Sequence, residues 1–381
     1  MNEKEFIGTI AGEVRRGMNG AYCYFHPHEL PLDVEVDRKM HLSLSAAAIE
    51  LARLDGMTSH MSADESEILL TAFTLMESTS SSSIEGTRTT LNDLYRSERI
   101  KEKDIARARD NSEVMSYKNA LSEGFNALRA GEKISIDLIK RLHGILMSND
   151  RGSNLSPGEF KTAQNAIGTV GDTLETAKMV PACPESVERL MDNWVSYVNS
   201  PDIDTIEKVA ISHSQFESIH PFRDGNGRVG RLLIILIIYS DGLLKSPVLY
   251  PSDYFNKHRD KYIDGLFGVA SKDAFTEWFG FFAEALRVQA MSSMKTIDGL
   301  RKYRMMLTAD ENDIKIIRAV DMLFKNPYTD GPSLQNGLGT SRPTADSIIE
   351  VLQKRGVLRE ITGKSRNRVY VADGILEILR G

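Results

Sequence analysis

The chain of 381 residues is poor in the features that mark secreted, zinc-binding and membrane proteins. Its two cysteines, Cys23 and Cys183, are too few and too isolated for a disulfide framework or a zinc site. The longest apolar run, 232–239, is far below the ~18 residues that a membrane span requires. The chain starts Met-Asn-Glu-Lys-Glu, without the basic and then apolar leader of an export signal. We therefore expect a cytoplasmic protein with no membrane partner.

Charge and common nucleotide motifs exclude further classes. The formal net charge of −6 argues against a protein that binds nucleic acid along its whole surface. No Gly-x-x-x-x-Gly-Lys-[Ser/Thr] string occurs, and no Gly-x-Gly-x-x-Gly follows a predicted strand. No internal repeat is apparent, which argues against a solenoid. If this chain binds a nucleotide, it uses a different loop.

One segment, 220–231, combines the residue types needed to hold a triphosphate. It reads His-Pro-Phe-Arg-Asp-Gly-Asn-Gly-Arg-Val-Gly-Arg and leads directly into the apolar run. A helix N-terminus offers unpaired N–H groups and a partial positive charge, and both attract phosphate. The Gly225–Gly227 turn lets the backbone approach an anion closely. Arg228 and Arg231 are three apart, so they share one side of the helix and suit successive phosphates.

The same segment carries a carboxylate and a base. Asp224 lies just before the glycines, where it could hold Mg²⁺ that bridges phosphates. His220 has a reference pKa of ~6.5, which suits it to take a proton from an attacking hydroxyl. The alternative interpretation is a plain glycine turn between two helices, with His220 packed or capping and the arginines in solvent.

The segment resembles the Fic-family signature, His-x-Phe-x-[Asp/Glu]-Gly-Asn-Gly-Arg-x-x-Arg, at every fixed position. Most Fic proteins transfer AMP from ATP to a hydroxyl side chain of a target protein. The resemblance implies that His220 deprotonates a target Ser, Thr or Tyr, and that Phe222 is a buried anchor of the loop. It implies a metal site for Mg²⁺ at Asp224, and it assigns nucleotide binding to Asp224, Gly225, Asn226, Gly227, Arg228, Val229, Gly230 and Arg231.

Individual positions within the signature carry more specific expectations. The resemblance places the middle of the triphosphate at Arg228 and the γ-phosphate at Arg231. Doc-type relatives, which transfer phosphate, carry Lys at the place of Gly227. The glycine in this chain therefore favours nucleotidyl transfer.

A second segment, 78–87, reads Ser-Thr-Ser-Ser-Ser-Ser-Ile-Glu-Gly-Thr. Ser81 and Glu85 are four apart, so a helix places them on one face, and Gly86 is a natural helix stop. The segment resembles the inhibitory motif of Fic proteins, [Ser/Thr]-x-x-x-Glu-[Gly/Asn]. The resemblance implies that Glu85 pairs with Arg231 and occupies the γ-phosphate site. Considered alone, the segment is equally a solvated loop or a helix cap.

A third segment resembles the Fic flap, a β-hairpin whose edge pairs with the target's backbone. Pro157–Lys161 precedes a stretch, 164–180, with a turn-like Gly171-Asp172. Lys161 stands where Arg is usual, and Ala182 stands where a second Pro is usual. A surface loop without function is the alternative. Met179 in this segment and Tyr262 downstream are candidate nucleotide contacts, although an aromatic at helical spacing also suits packing.

Apolar spacing predicts a mainly α protein with a Fic helical core and a β-hairpin flap. We expect a helical N-terminal region with the inhibitory motif in 1–110, the catalytic core in 111–300, and a further domain in 305–381. Strands are expected only in the flap and near the C-terminus. The predicted helices of the first two regions are 42–54, 67–76, 104–128, 135–147, 186–199, 206–219, 229–240 and 273–295.

The C-terminal segment resembles a winged helix-turn-helix domain. Helices are expected at 314–323, 333–338 and 343–355, followed by a hairpin from 357 to 371. Residues 341–370 contain seven Lys or Arg and three Asp or Glu, a net charge of +4 against −10 for the remainder. This charge is compatible with DNA binding through phosphate contacts. Protein contact or homodimerisation is equally compatible with such a domain.

The leading prediction is a Mg²⁺-dependent protein adenylyltransferase that uses ATP and is autoinhibited by Glu85. An alternative at the same site is removal of AMP from modified protein, with Glu85 activating water. The alternative from another class is a DNA-binding regulator whose core serves only as a sensor.

Overall fold

A computed structural model describes residues 1–17, 20–100, 104–148, 155–169 and 171–380, and its fold is mainly helical. The helices in the first 308 residues are α1 (Arg38–Thr58), α2 (Ala63–Ile84), α3 (Leu91–Ser97), α4 (Ile105–Arg129), α5 (Ile136–Leu146), α6 (Pro184–Val198), α7 (Thr205–Ile219), α8 (Asn226–Ser240), α9 (Ser252–Lys257), α10 (Arg259–Lys272) and α11 (Phe275–Thr308). All eight helices predicted for this part of the chain are confirmed.

Two of these helices run well past their predicted ends. The serine-rich stretch 78–83 continues α2, and two of its serines return their hydroxyls to backbone carbonyls one turn back: the buried Ser78 donates to Thr74 O at 2.6 Å and the half-buried Ser83 to Thr79 O at 2.8 Å. α11 continues to Thr308. A helical stretch of serine is therefore compatible with a packed rather than a solvated face.

The N-terminal region contains a β-hairpin that the sequence prediction missed. Strand β1 (Gly12–Gly17) pairs antiparallel with β2 (Tyr22–Pro27), with Gly12 opposite Pro27. The expectation of strands only in the flap and near the C-terminus is therefore wrong. The hairpin is stabilised by distant contacts, since Phe25 is 1% exposed and its N–H donates to Val180 O at 2.8 Å. Contacts between distant segments leave no local hydrophobic periodicity, so the sequence pattern does not predict this hairpin.

The centre of the fold is α8. From Leu232 to Ile238 every side chain is buried, and a helix that is apolar on all faces must lie inside the protein. The neighbouring α7 is fixed by two buried indoles: Trp194 Nε1 donates to Ser212 O at 2.7 Å and Trp278 Nε1 to Ala210 O at 2.9 Å. The loop between α7 and α8 is therefore held between two immobile helices.

Residues 314–380, the C-terminal unit, form a separate set of elements. They are α12 (Ile314–Lys325), β3 (Tyr328–Asp330), α13 (Gly331–Leu338), α14 (Arg342–Lys354), β4 (Arg359–Glu360), β5 (Val369–Val371) and α15 (Asp373–Arg380), with the sheet order β3-β5-β4. The three predicted helices and the hairpin are present. Strand β3 and helix α15 were not predicted.

The C-terminal unit packs against α2 and against the segment that follows Glu85. Lys325 pairs with Glu67 of α2 at 2.8 Å. Asn326 Nδ2 donates to Glu98 Oε2 at 2.7 Å, just after α3, and Tyr328 OH donates to Asn92 Oδ1 within α3 at 2.8 Å. The expected boundaries at 110 and at 300–305 fall inside α4 and α11. Within the described part of the chain, no helix has the length and apolarity to cross a membrane.

Alanine substitutions at two glycines test how tightly α8 is packed. A Cβ on Gly124 of α4 would lie 2.5 Å from Cδ1 of the fully buried Leu236. We expect Gly124→Ala to lower the free energy of unfolding by about 1–3 kcal/mol, although alanine normally favours a helix. Gly56→Ala in α1 is the control, since nothing lies within 4 Å of its Cβ, and it should raise stability by up to about 1 kcal/mol. Urea denaturation measures the change in the free energy of unfolding for both variants, and changes of the same sign would contradict the packing argument.

Candidate active site

The loop between α7 and α8 is held by its own side chains. His220 ends α7 in the left-handed conformation (φ 51°), and α8 begins at Asn226, three residues earlier than predicted. Asn226 Oδ1 accepts from Phe222 N, and its Nδ2 donates to Phe222 O, both at 2.8 Å. Phe222 is fully buried, as predicted. The amide of Asn226 therefore fixes the loop, and only its backbone is available to an anion.

A histidine from another helix supports this loop, and the sequence prediction missed it. The ring of His143 in α5 stacks on Phe222 with centroids 3.8 Å apart. Its Nδ1 accepts from Gly158 N at 2.9 Å, so Nε2 carries the proton and donates to Asp224 O at 3.1 Å. Burial lowers the pKa of His143 to about 4, so the ring stays neutral and keeps this bonding pattern. His143 thereby fixes the backbone that carries Asp224.

His220 has the properties of a neutral base. Its Nδ1 lies 3.3 Å from Glu217 O, so a proton on Nδ1 would leave Nε2 free to accept another. Burial first, and then the charge of Lys161, lowers the pKa of His220 to about 3. Lys161 in the flap segment donates to Asn165 Oδ1 at 2.9 Å and to Ile219 O at 3.1 Å. Burial lowers its own pKa to about 7.

Arg231 and Glu85 form the central ion pair of the site. Arg231 Nη2 donates to Glu85 Oε1 at 2.6 Å, while Nε donates to Ser81 Oγ at 2.9 Å and Nη2 to Ser81 O at 3.1 Å. Arg231 is 1% exposed, whereas the side chain of Glu85 is 41% exposed. Burial alone would raise the pKa of Glu85, but the Arg231 guanidinium outweighs it and lowers the pKa below its ordinary value.

The carboxylate of Glu85 lies directly on the helix N-terminus. A Cβ on Gly227 would lie 2.6 Å from Glu85 Oε1 and 3.0 Å from Arg231 Nη1. Only glycine leaves room for an anionic group this close to the backbone. Glu85 therefore occupies the position where the unpaired N–H groups of α8 and the Arg231 guanidinium would jointly favour an anion.

Arg228 also carries a carboxylate partner. Its Nη1 lies 2.7 Å from Oε1 of Glu113 in α4, and both side chains are 8% exposed. The sequence analysis did not predict this pair, because 115 residues separate Arg228 from Glu113. Arg228 and Arg231 both line one cavity, as their spacing predicted.

This cavity of about 900 Å³ collects most of the predicted site residues. Such a volume lies within the range of known ligand pockets. The lining includes Glu85, Met179, His220, Asp224, Gly225, Asn226, Gly227, Arg228, Arg231 and Tyr262. Ser81 lies behind the wall and reaches the cavity only through Arg231. Most of the predicted site residues thus line one cavity, and the Glu85 carboxylate lies inside it.

The flap segment forms one wall of the cavity. Ile167 and Met179 exchange two backbone hydrogen bonds, of 2.8 and 3.1 Å, in an antiparallel bridge. The Met179 side chain is 5% exposed. On the opposite wall, the hydroxyl of Tyr262 lies 2.8 Å from His213 Nε2, so packing already engages it. Residue 170 of the predicted turn lies outside the described residues.

Two of the predicted nucleotide-binding residues, Val229 and Gly230, are not among the residues that line the cavity. Val229 is fully buried in the core, and Gly230 faces Glu217, His213 and Phe216 of α7. Their assignment to nucleotide binding stays a prediction, and it can concern only their backbone. A helix that turns positions 228 and 231 toward the cavity points 229 and 230 into the protein, because successive residues are rotated by about 100°.

Arg259 and Glu217 are among the cavity residues to which the sequence analysis assigned no role. Arg259, the first residue of α10, donates from Nε to Ile84 O at 3.0 Å. Glu217 precedes His220 by three on the same helix, a spacing that could have indicated it. Its Oε1 is buried and has no hydrogen-bond partner among the described residues. Burial raises the pKa of Glu217 to about 7, opposed by Arg231 and assisted by Glu85.

Asp224 is the candidate metal ligand. Its Oδ1 accepts from Gly225 N at 2.7 Å, and the residue is otherwise exposed at the cavity mouth. The described residues contain no group of three or more His, Cys, Asp or Glu that could hold a metal ion. A lone carboxylate fits Mg²⁺, which commonly takes one or two carboxylates and completes its shell with phosphates and water.

Two sequence models match the chain. Residues 41–126 match the Fic/DOC family N-terminal model and residues 133–238 match the Fic/DOC family model, so together they cover about half of the chain. The chain belongs to the Fic/DOC family. The second match contains the whole loop and the flap, and the first contains the Glu85 segment.

Individual relatives are similar over part of the chain. The protein adenylyltransferase fic-1 of Caenorhabditis briggsae is 30% identical over 215 residues, 54% of this chain and 39% of that protein. A probable protein adenylyltransferase of Aquifex aeolicus is 29% identical over 184 residues, 42% of this chain and 52% of that protein. The chain thus spans about half or less of the length of these relatives.

Solved structures share the fold. A Fic family protein from Desulfovibrio desulfuricans superposes with a TM-score of 0.57 at 18% identity, covering 89% of this chain and 97% of the other. Fic-1 from C. elegans gives 0.52 at 22% identity, covering 68% and 74%. At these identities the likeness establishes the fold.

Glu217 should make stability depend on pH. Its pKa rises from 4.5 to about 7 on folding, so its contribution to stability is full below pH ~4.5 and is lost as the pH rises through about 7. In the wild type, the free energy of unfolding should fall between pH 5 and 8 as Glu217 ionises. We expect Glu217→Gln to reduce this fall by at most about 3 kcal/mol. Urea denaturation at a series of pH values measures this. The exposed Glu188→Gln in α6 should follow the wild type, and parallel curves for Glu217→Gln would refute the assignment.

Proposed function

We propose that this chain is a protein adenylyltransferase that transfers AMP from ATP to a hydroxyl side chain, Ser, Thr or Tyr, of a target protein, and that Glu85 autoinhibits it. The observation that carries the proposal is the Arg231–Glu85 pair of 2.6 Å lying on Gly227, in the same cavity as His220. Relatives named as protein adenylyltransferases support the same chemistry.

The phosphates would bind where the protein now keeps its own carboxylate. The γ-phosphate replaces Glu85 on Arg231, the middle of the triphosphate binds Arg228, and the N–H groups at the start of α8 bind the remaining oxygens. Met179 and Tyr262 then flank the nucleoside. This arrangement presents the α-phosphorus toward His220, since His220 and Arg231 line the same cavity and Arg228 lies between them along the chain.

Transfer needs one proton acceptor and one leaving group. His220 takes the proton of the target hydroxyl, whose oxygen forms a bond to the α-phosphorus as the bond to the β-phosphate oxygen breaks and pyrophosphate leaves. The low pKa of His220 keeps the ring neutral and able to accept. Bound phosphates would raise this pKa toward the range that general-base catalysis favours.

Asp224 would hold Mg²⁺ at the cavity mouth. When bound, the ion neutralises the charge that develops on the leaving phosphates. The chain's own contribution is to fix the carboxylate, through the Gly225 N–H on Oδ1 and through His143 on the Asp224 carbonyl. The flap would hold the target, because an exposed strand edge can pair with any extended backbone.

Autoinhibition follows from burial. Arg231 is 1% exposed, and removing the partner of a buried charge costs several kcal/mol, about 3–5 in typical cases. Arg231 therefore requires an anion at all times, and Glu85 supplies it from within the chain. ATP has to displace a tethered carboxylate before its γ-phosphate can bind productively.

The test is transfer of label from ATP. Glu85→Gly protein incubated with Mg²⁺ and α-labelled ATP should label itself or a target at least about tenfold faster than wild type, because ATP no longer competes with the carboxylate. Glu85→Gly with His220→Ala should remain unlabelled, since no base takes the hydroxyl proton. Mass spectrometry gives the added mass and its site. Equal labelling with and without His220 would contradict the proposed role of the imidazole.

A second candidate function concerns the C-terminal unit, which we propose to be a winged helix-turn-helix. Three of the seven basic residues in 341–370 are ion-paired: Arg342 with Asp346, Arg355 with Glu311 and Arg359 with Asp373. The turn between β4 and β5 nevertheless exposes Lys364, Arg366 and Arg368. A basic, exposed turn beside a helix favours contact with the phosphates of duplex DNA.

Gel-shift assays on the full chain test this second function. We expect duplex binding that weakens steeply between 50 and about 200 mM salt, and that Lys364→Glu with Arg366→Glu reduces the affinity and the salt dependence. Lys302→Glu with Lys295→Glu on α11 carries the same change of charge away from the turn and serves as the control. Unaltered binding by the turn variant would dismiss the turn as a DNA contact.

A further inference from the structure

The inner face of α2 carries a third polar residue besides Ser81 and Glu85. Glu77 precedes Ser81 by one helical turn and Glu85 by two, so the three lie on one face. The side chain of Glu77 is fully buried. A buried carboxyl group is unfavourable unless its oxygens are hydrogen-bonded, so its partners report what the residue does for the fold.

Both oxygens of Glu77 are bound by residues of other helices. Oε1 accepts from Tyr117 OH in α4 at 3.1 Å and from Ser252 Oγ at the start of α9, and Oε2 accepts from Ser252 N at 3.1 Å. Burial raises the pKa of Glu77 to about 7, against the hydrogen bonds of Ser252, which lower it. The network connects α2 to two helices of the core.

This anchor differs from the others that hold the inhibitory helix. Ser81 and Glu85 are both bound by Arg231, and the carbonyl of Ile84 is bound by Arg259. Arg231 and Arg259 line the cavity, so a bound nucleotide competes for them. Tyr117 and Ser252 lie outside the cavity lining. Unlike Arg231 and Arg259, the partners of Glu77 therefore do not face a triphosphate in the cavity.

We propose that Glu77 is a positioning residue for Glu85: its hydrogen bonds to Tyr117 and Ser252 fix α2 so that the Glu85 carboxylate stays against Arg231 while ATP competes. The activity part of this inference rests on the proposed adenylyl transfer. Loss of the anchor lets the last turn of α2 withdraw, because the hydrogen bonds that it receives from Arg231 and Arg259 are those for which the nucleotide competes. Basal transfer then rises without any change at Glu85.

Amide hydrogen exchange tests the anchor without reference to activity. The amides of Glu85, Gly86 and Thr87 donate to Ser82 O and Ser83 O in the final turn. Tyr117→Phe and Ser252→Ala each delete one hydroxyl without adding bulk, and Glu77→Gln removes the charge. We expect these amides to exchange about five- to tenfold faster in each variant, the size expected from one lost hydrogen bond. Amides of α8 should keep their protection.

Glu67→Gln is the matched control. It makes the same substitution on the same helix, at a side chain that is 59% exposed and pairs with Lys325 at the surface. Its exchange at residues 85–87 should equal that of the wild type. If Glu77→Gln does not fold, the two hydroxyl deletions still decide the question.

Labelling from ATP separates this inference from the proposed function. Faster exchange together with higher transfer in Tyr117→Phe and Ser252→Ala, toward the level of Glu85→Gly, supports both. Unchanged exchange in both variants overturns the positioning role, even if Glu85→Gly transfers AMP. Faster exchange with no transfer in any variant, Glu85→Gly included, supports the anchor and rejects the adenylyltransferase. If amide exchange is faster in Tyr117→Phe and Ser252→Ala but their transfer rate stays at the basal level, and only Glu85→Gly is activated, the link between the anchor and inhibition is overturned.

Discussion

A buried guanidinium governs this site. Arg231 projects from a helix whose other faces are apolar, so its charge lies in a region where water cannot balance it. Ser81, Glu85 and the backbone of α2 satisfy it from one side, and the carboxyl groups of Glu77 and Glu217 lie within its field. In the proposed function, regulation and substrate binding therefore depend on the same charge. Glu85 and the triphosphate would compete because Arg231 requires an anion.

The sequence predicts the parts of the site that are local in the chain. The turn at Gly225–Gly227, the shared side of Arg228 and Arg231, and the Ser81–Glu85 face all follow from spacing along helices and turns. The partners of these residues do not: Glu113 lies 115 residues from Arg228, and His143 lies 81 residues from Asp224. Only packing brings such groups together. The N-terminal hairpin was missed for the same reason, since its strands are held by the flap rather than by their own pattern.

Electrostatics add what residue type alone cannot give. A histidine of reference pKa ~6.5 suggests a base that is half protonated near neutrality. Burial and Lys161 instead keep His220 neutral, and burial brings Lys161, Glu77 and Glu217 to pKa values of about 7. Of these four groups, His220 and Glu217 line the cavity. Their charges respond to what enters it, because each is set by desolvation and by neighbours that a ligand would change.

The contacts of the C-terminal unit bear on how this protein can be dissected. Residues 326 and 328 hold α3 and the residue just after it, a few positions beyond Glu85, while Lys325 holds the start of α2. A fragment ending near 305 would cut α11 before its last turn and remove the contacts that residues 325–328 make with α2 and α3. Under the proposed autoinhibition, enzymology on such a shortened version would describe a de-repressed molecule, and any effector of the distal unit would be invisible to it.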